Sequence, residues 1–365
     1  MMKRALVIGA NEEAVFSIRT AQRHGLWVDA MDGNEKAKGL PAADEAYPVD
    51  INDLTRVFEI TDRLQPCAVV PAPIGHCLTT IGAVNDRYHL AGVSQAAAEK
   101  CTDKYRFHQA MREAGLRNAE LVLLKEGQKV REEELSGMTR FPVIVKPRFG
   151  SGSRGVEICG NRQELLCFLQ YELGKDTGLP EEEPAFYEKC CRLMQKTGEA
   201  MGFRNCVVHA DLIRERREDG TLTDEPFVIE TSARPSGHNL SNLFTPLSTG
   251  VTLVEDFLKL ALPELMDSRN ENAEGLFRPE KTRKLLIRYF DLAKGTVRSV
   301  PDPGELKERY PLLDYVCHIR PGDQLAEVRD GASVMGRGYY ILEGENDAQL
   351  DAADEKLRAE FRVQT

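Results

Sequence analysis

Asp211 and Glu230 are the two residues whose types and setting first ask for chemistry. Asp211 sits in the run Cys206-Val207-Val208-His209-Ala210-Asp211-Leu212-Ile213, and Glu230 closes Pro226-Phe227-Val228-Ile229-Glu230. Both runs read as strands, and Asp219-Gly220 between them is a strong hairpin signal. Two carboxylates facing each other on paired strands repel unless something cationic lies between them. Magnesium, bound through one or two carboxylates plus substrate phosphates, fits that need. Solvated surface acids are the bland alternative, and the apolar runs that carry both residues weigh against it.

Two further groups point to phosphate. The first is Lys146, which follows the apolar strand Phe141-Pro142-Val143-Ile144-Val145 and precedes Arg148-Phe149-Gly150-Ser151-Gly152-Ser153-Arg154-Gly155. Backbone N–H groups from Gly150 to Gly155 can close over phosphate oxygens, because glycine lets the backbone approach them. A lysine beside them supplies a neutralising point charge. The spacing is not that of a P-loop, and an ordinary hairpin would carry the same glycines and serines. The second group is Arg234-Pro235-Ser236-Gly237-His238-Asn239, directly after Glu230-Thr231-Ser232. An arginine four residues beyond a metal carboxylate is placed to stabilise a transferred phosphoryl group or to grip a substrate carboxylate. His238 reads first as a structural histidine, with a general base as the alternative.

The elements that must position these residues begin with a doubly wound α/β unit. Arg4 to Gly9 is a short apolar run ending in glycine, Glu13 to His24 a helix, and Leu26 to Asp32 a second buried strand. Ala43 to Val49 reads as a connection, Leu54 to Leu64 as a helix and Cys67 to Pro71 as another strand. Asp32 at a strand end invites a dinucleotide reading. The first turn, Gly9-Ala10-Asn11-Glu12-Glu13, has one glycine where that fingerprint asks for three, and its acidic pair would repel a pyrophosphate. From about Ser94 the character changes. Gln95 to Ala114 reads as one helix, and about Phe186 to Met201 as another. Beyond Asn270, Thr282 to Phe290 and Arg337 to Leu342 are strand-like, and Ala348 to Phe361 is a closing helix. The expected domains are 1–94, 95–269 and 270–365, with a lid hairpin at about 135–175.

The 365-residue chain is 42% hydrophobic and 29% charged, which suits two or three domains. A net charge of −10 argues against a nucleic-acid binder working through broad phosphate contact. No apolar run approaches the ~18 residues of a membrane span. The apolar start is too short for a signal peptide and meets Asn11-Glu12-Glu13 at once, so the chain reads as cytoplasmic. Nine cysteines without a Cys-x-x-Cys pair read as reduced thiols.

Taken together these residues resemble the ATP-grasp superfamily. The likeness begins with Asp103-Lys104, continues through Val143 to Pro147 and Gly150 to Gly155, and ends with Val228 to Gly237. It covers essentially the whole chain. The implied fold is α/β: a Rossmann-like pre-ATP-grasp domain, an α+β ATP-grasp domain with its lid hairpin, and a small C-terminal α+β extension. The resemblance implies that Lys104 and Lys146 hold the phosphates of ATP, with Ser151, Gly152, Ser153 and Gly155 in the lid loop. It implies Mg2+ on Asp211 and Glu230, with Ser232 at the third metal position, and Arg234 on the phosphoryl group or acyl phosphate. The implied reaction phosphorylates a small carboxylate, an amino acid among the candidates, for attack by an amine, and members of this build often form homodimers.

The chain departs from the family pattern in three places. Asp211 stands where glutamate is usual, and Ser232 where asparagine is usual. Between Lys146 and Glu230 the interval is several strands short, with Gly174 to Pro184 polar where an adenine-binding hinge strand is expected. A catalytically weakened nucleotide-binding protein therefore stands as the alternative to an active ligase.

Overall fold

Ala5, Leu6, Val7 and Ile8 are essentially without solvent contact, as a strand covered on both faces requires. They form β1 (Arg4–Ile8), the central strand of a four-stranded parallel sheet. The structure, a computed structural model, describes residues 2–119, 143–145, 157–159, 183–216, 221–266, 275–279, 282–328, 334 and 336–364. Its chain sorts into two compact units. One takes 1–139, 178–243 and 251–278, and the other 140–177, 244–250 and 279–365.

In the first unit β1 is followed by α1 (Ala14–Arg23), β2 (Trp27–Asp32), β3 (Glu45–Pro48), α2 (Leu54–Leu64), β4 (Ala68–Val69) and α3 (Leu78–Tyr88). The strand order is β3-β2-β1-β4. The chain therefore leaves β1 toward one side and returns on the other, which puts a topological switch point between the carboxyl ends of β1 and β4. Gly9 turns the chain out of β1 with φ +83°, and a Cβ there would meet Ile74 Cδ1 at 2.9 Å, so only glycine fits.

Residues 43–49, expected as a connection, contain the edge strand β3. It is short, mostly exposed and ends in proline, as suits an edge that avoids further pairing. The single helix expected over 95–114 is two, α4 (Gln95–Thr102) and α5 (Lys104–Glu113). The break is Asp103, buried and extended at φ −111° and ψ 104°. Its carboxylate accepts from the backbone N–H groups of Tyr105 and Arg106 and so caps α5.

The long helix α6 (Pro184–Met201) ends at Gly202 in the left-handed region. It packs on the antiparallel hairpin β7 (His209–Arg216) and β8 (Leu222–Ser232), where Met201, Val228, Phe107 and Met111 share one buried cluster. Asp219 and Gly220, expected as its turn, lie outside the described residues. An amphipathic helix, α7 (Leu253–Ala261), puts Val254 and Leu258 into the core of the parallel sheet.

In the second unit, β5 (Val143–Val145) and β6 (Glu157–Cys159) pair antiparallel, Val143 with Cys159 and Val145 with Glu157. This unit also holds two three-stranded antiparallel sheets. One is ordered β9 (Leu285–Tyr289), β13 (Gly338–Glu343), β11 (Leu312–Cys317), and the other β12 (Gln324–Leu325), β10 (Gly295–Ser299), β14 (Arg362–Gln364). The closing helix α8 (Asp347–Arg358) packs here through Leu350 and Leu357. Its buried Asp354 accepts from Arg288 and from the Tyr340 hydroxyl at 2.6 Å each, which satisfies a charge that burial alone would penalise. Among the described residues, no helix is long and apolar enough to cross a membrane.

Candidate active site

The register of β7 against β8 sets Asp211 opposite Glu230 and His209 opposite Ser232. Alternation along each strand then gives these four residues one face, and gives Ala210 and the buried Thr231 the other. Between Asp211 and Leu212 the register shifts, Asp211 meeting Glu230 while Leu212 meets Val228. A bulge at this point twists the pair and re-aims the side chains beside it. The expected facing of the two carboxylates is thus a property of the fold. Among the described residues no group of three or more His, Cys, Asp or Glu side chains is arranged to hold a metal by itself. A pair of carboxylates is nevertheless the donor set that suits magnesium when phosphate oxygens complete the shell.

Arg234 lies two residues past the end of β8. Its Nη1 donates to the Pro235 carbonyl at 2.8 Å, and its Nε is buried with no hydrogen-bond partner among the described residues. Burial pushes the guanidinium's pKa down, while Glu230, Glu13 and Asp211 pull it back up. It remains a cation, since arginine stays protonated across the working range. A desolvated cation with an unused donor suits an anionic group, and both a carboxylate and a phosphoryl group fit it.

Three loops meet around this arginine. A Cβ on Gly75 would lie 3.2 Å from Arg234 Nε, so the loop after β4 runs directly against the guanidinium. Glu13 is the residue before α1, yet its carboxylate makes no capping bond to that helix. It accepts instead from the backbone N–H of Asn239 at 3.0 Å, while Asn242 Nδ2 donates to its carbonyl at 3.2 Å. His238 and Asn239 both hold positive φ, 62° and 58°, a strained geometry for side-chain-bearing residues and one that gathers at functional sites. The site therefore forms at the carboxyl ends of β1 and β4, where ligands bind in open α/β sheets.

The first turn is no dinucleotide loop. Asp32 accepts from the backbone N–H of Ala10 at 2.6 Å and from Asn34 N–H at 2.8 Å, so its carboxylate closes its own turn. Lys104 is the first residue of α5, directly after the Asp103 cap. Lys146, Ser151, Gly152, Ser153 and Gly155 lie outside the described residues, as does 160–182, where the adenine hinge was expected. Sequence reasoning passed over Glu13, His209 and the close approach of Gly75. Only the i, i+2 spacing of His209 and Asp211 on a strand could have signalled one of them.

No protein-family model matches the chain. The D-alanine–D-alanine ligase of Bacteroides fragilis (strain YCH46) is 27% identical over 181 residues, 45% of this chain and 55% of that protein. The formate-dependent phosphoribosylglycinamide formyltransferase of Prochlorococcus marinus (strain MIT 9515) is 22% identical over 188 residues, 50% of this chain and 48% of its own. The chain thus spans about half the length of these relatives. Among solved structures, the L-amino acid ligase of Bacillus licheniformis superposes with a TM-score of 0.71 at 19% identity, covering 100% of this chain and 99% of that one. Phosphoribosylglycinamide synthetase from Anaerococcus prevotii gives 0.68 at 16% identity, with both chains covered completely.

The chain has the fold of these ATP-grasp structures. The α/β architecture expected from the sequence is the one found, with the paired carboxylates on β7 and β8 and Arg234 two residues beyond that hairpin.

Proposed function

We propose that this chain is a magnesium-dependent ATP-grasp ligase that activates a small carboxylate, an amino acid among the candidates, for attack by an amine. The observation that carries this reading is the in-register facing of Asp211 and Glu230, with Arg234, its Nε buried, just beyond them. Bound magnesium supplies charge neutralisation of the phosphates and polarises the transferred phosphoryl group. The chain's own residues do the rest. Asp211, Glu230 and, at the third position, Ser232 hold the metal. Arg234 binds the substrate carboxylate and stays paired with it as negative charge develops on the acyl phosphate, an interaction worth most where water is excluded. Lys104 and Lys146 hold phosphate oxygens, and the lid residues Ser151, Gly152, Ser153 and Gly155 cover them.

The relatives' names support the carboxylate–amine class. The first curated relative is named for joining D-alanine to D-alanine, and the first structural neighbour described above for ligating L-amino acids. The test is ADP release from ATP and magnesium with and without pooled amino acids as joint source of carboxylate and amine. ADP formation should rise with the pool and fall by about 10²-fold or more in Glu230→Gln, which keeps the side chain's shape and removes its charge. ADP release indifferent both to the pool and to that substitution contradicts the reading.

A further inference from the structure

His209 stands beside the metal site without a role in the reading above. Its Nε2 lies 3.2 Å from Asp211 Oδ1, two positions along the same strand face. The ring and the carboxylate are thus in direct polar contact on one strand face. The histidine is itself held: Thr231 Oγ1, from the opposite strand, donates to the His209 carbonyl at 3.0 Å. Asp211, by contrast, is short, 49% exposed at its side chain, adjacent to a bulge and directly opposite a second carboxylate. Like charges facing across a strand pair push one of the two side chains toward solvent. A tether from His209 opposes that displacement.

We propose that His209 is a positioning residue that holds the Asp211 carboxylate facing Glu230, and thereby sets the site's affinity for a divalent cation bound with nucleotide. The proposal rests on the reading of Asp211 and Glu230 as metal ligands. A side chain that orients a ligating carboxylate typically changes metal affinity by 10- to 100-fold when removed. A surface ion pair with no such task contributes little, and its loss leaves affinity unchanged.

The test uses the full chain, Mn2+ as probe and saturating ADP, with bound Mn2+ read by electron paramagnetic resonance. His209→Ala should weaken Mn2+ binding by about tenfold. His209→Gln, whose Nε2 reaches about as far as the imidazole Nε2, should restore most of it, and the shorter His209→Asn should not. In an Asp211→Asn background, His209→Ala should add no further loss. Wild-type affinity in His209→Ala, or an equal loss in both backgrounds, overturns the positioning role. Wild-type affinity in Asp211→Asn and Glu230→Gln overturns the metal assignment beneath it, so the two failures are distinguishable. If His209→Ala fails to fold by circular dichroism, the contrast between the Gln and Asn variants decides.

Discussion

Arg234, Glu13 and His238 form a charged group that hydrophobic burial alone would not assemble. Glu13 accepts from Asn239, and three carboxylates counter part of the desolvation of Arg234. His238 is pushed below its ordinary pKa, chiefly by burial and further by Arg234 and His209, against the pull of Glu13. The sign follows from linkage. The unfolded chain takes up this proton at about pH 6.5, and the folded chain only at lower pH. His238's contribution to stability is therefore complete above about pH 6.5 and is lost as pH falls through the folded value. Calorimetric melting should show the wild-type Tm falling faster than that of His238→Gln between about pH 7.5 and 5.5. Parallel curves contradict this. At this scale the sequence showed Asp211 and Glu230, because charged residues inside apolar strands stand out against their neighbours. Glu13 did not stand out, because an acid at the start of a helix is ordinary, and its partner Asn239 is 226 positions away.

Elements decide where these side chains end. The hairpin β7–β8 was legible in its apolar runs, and its register followed from the need to keep one face buried. The break between α4 and α5 was not, because Asp103 between helix-forming stretches looks like a tolerated polar residue until its capping geometry is seen. The edge strand β3 was hidden by its shortness and its closing proline, since pairing with β2 runs through the backbone and needs no long apolar run. Gly75 belongs to this scale too. Its backbone passes so near Arg234 that an added methyl group would sit 3.2 Å from Nε, tighter than an unstrained contact. Gly75→Ala should shift the guanidinium by a few tenths of an ångström and lower kcat/KM for ADP formation about tenfold, since misplacement by ~1 Å can cost 10²-fold. Thermal melts should move little, because the displaced group is a side-chain end and not core backbone. An unchanged kcat/KM would take the Gly75 loop out of the site.

Across the whole molecule, the order of motifs from Lys104 to Arg234 carried the family resemblance, and solved ATP-grasp structures 16–19% identical share the fold over essentially the full chain. Such low identity preserves layers and strand order, which depend on buried patterns that many sequences satisfy. The loops around Arg234 depend instead on a few residues, such as Glu13 and Gly75, whose partners come from distant parts of the chain. In the proposed reaction a carboxylate oxygen attacks phosphorus and an amine later expels phosphate. The most direct measurement supplies amino acids carrying 18O in their carboxylates, with ATP and magnesium, and analyses the released phosphate by mass spectrometry. One 18O per phosphate, appearing in step with ADP, is the predicted result, because the bridging oxygen of the acyl phosphate departs with the phosphoryl group. ADP accompanied by unlabelled phosphate would mean that water takes the phosphoryl group, and would contradict the account.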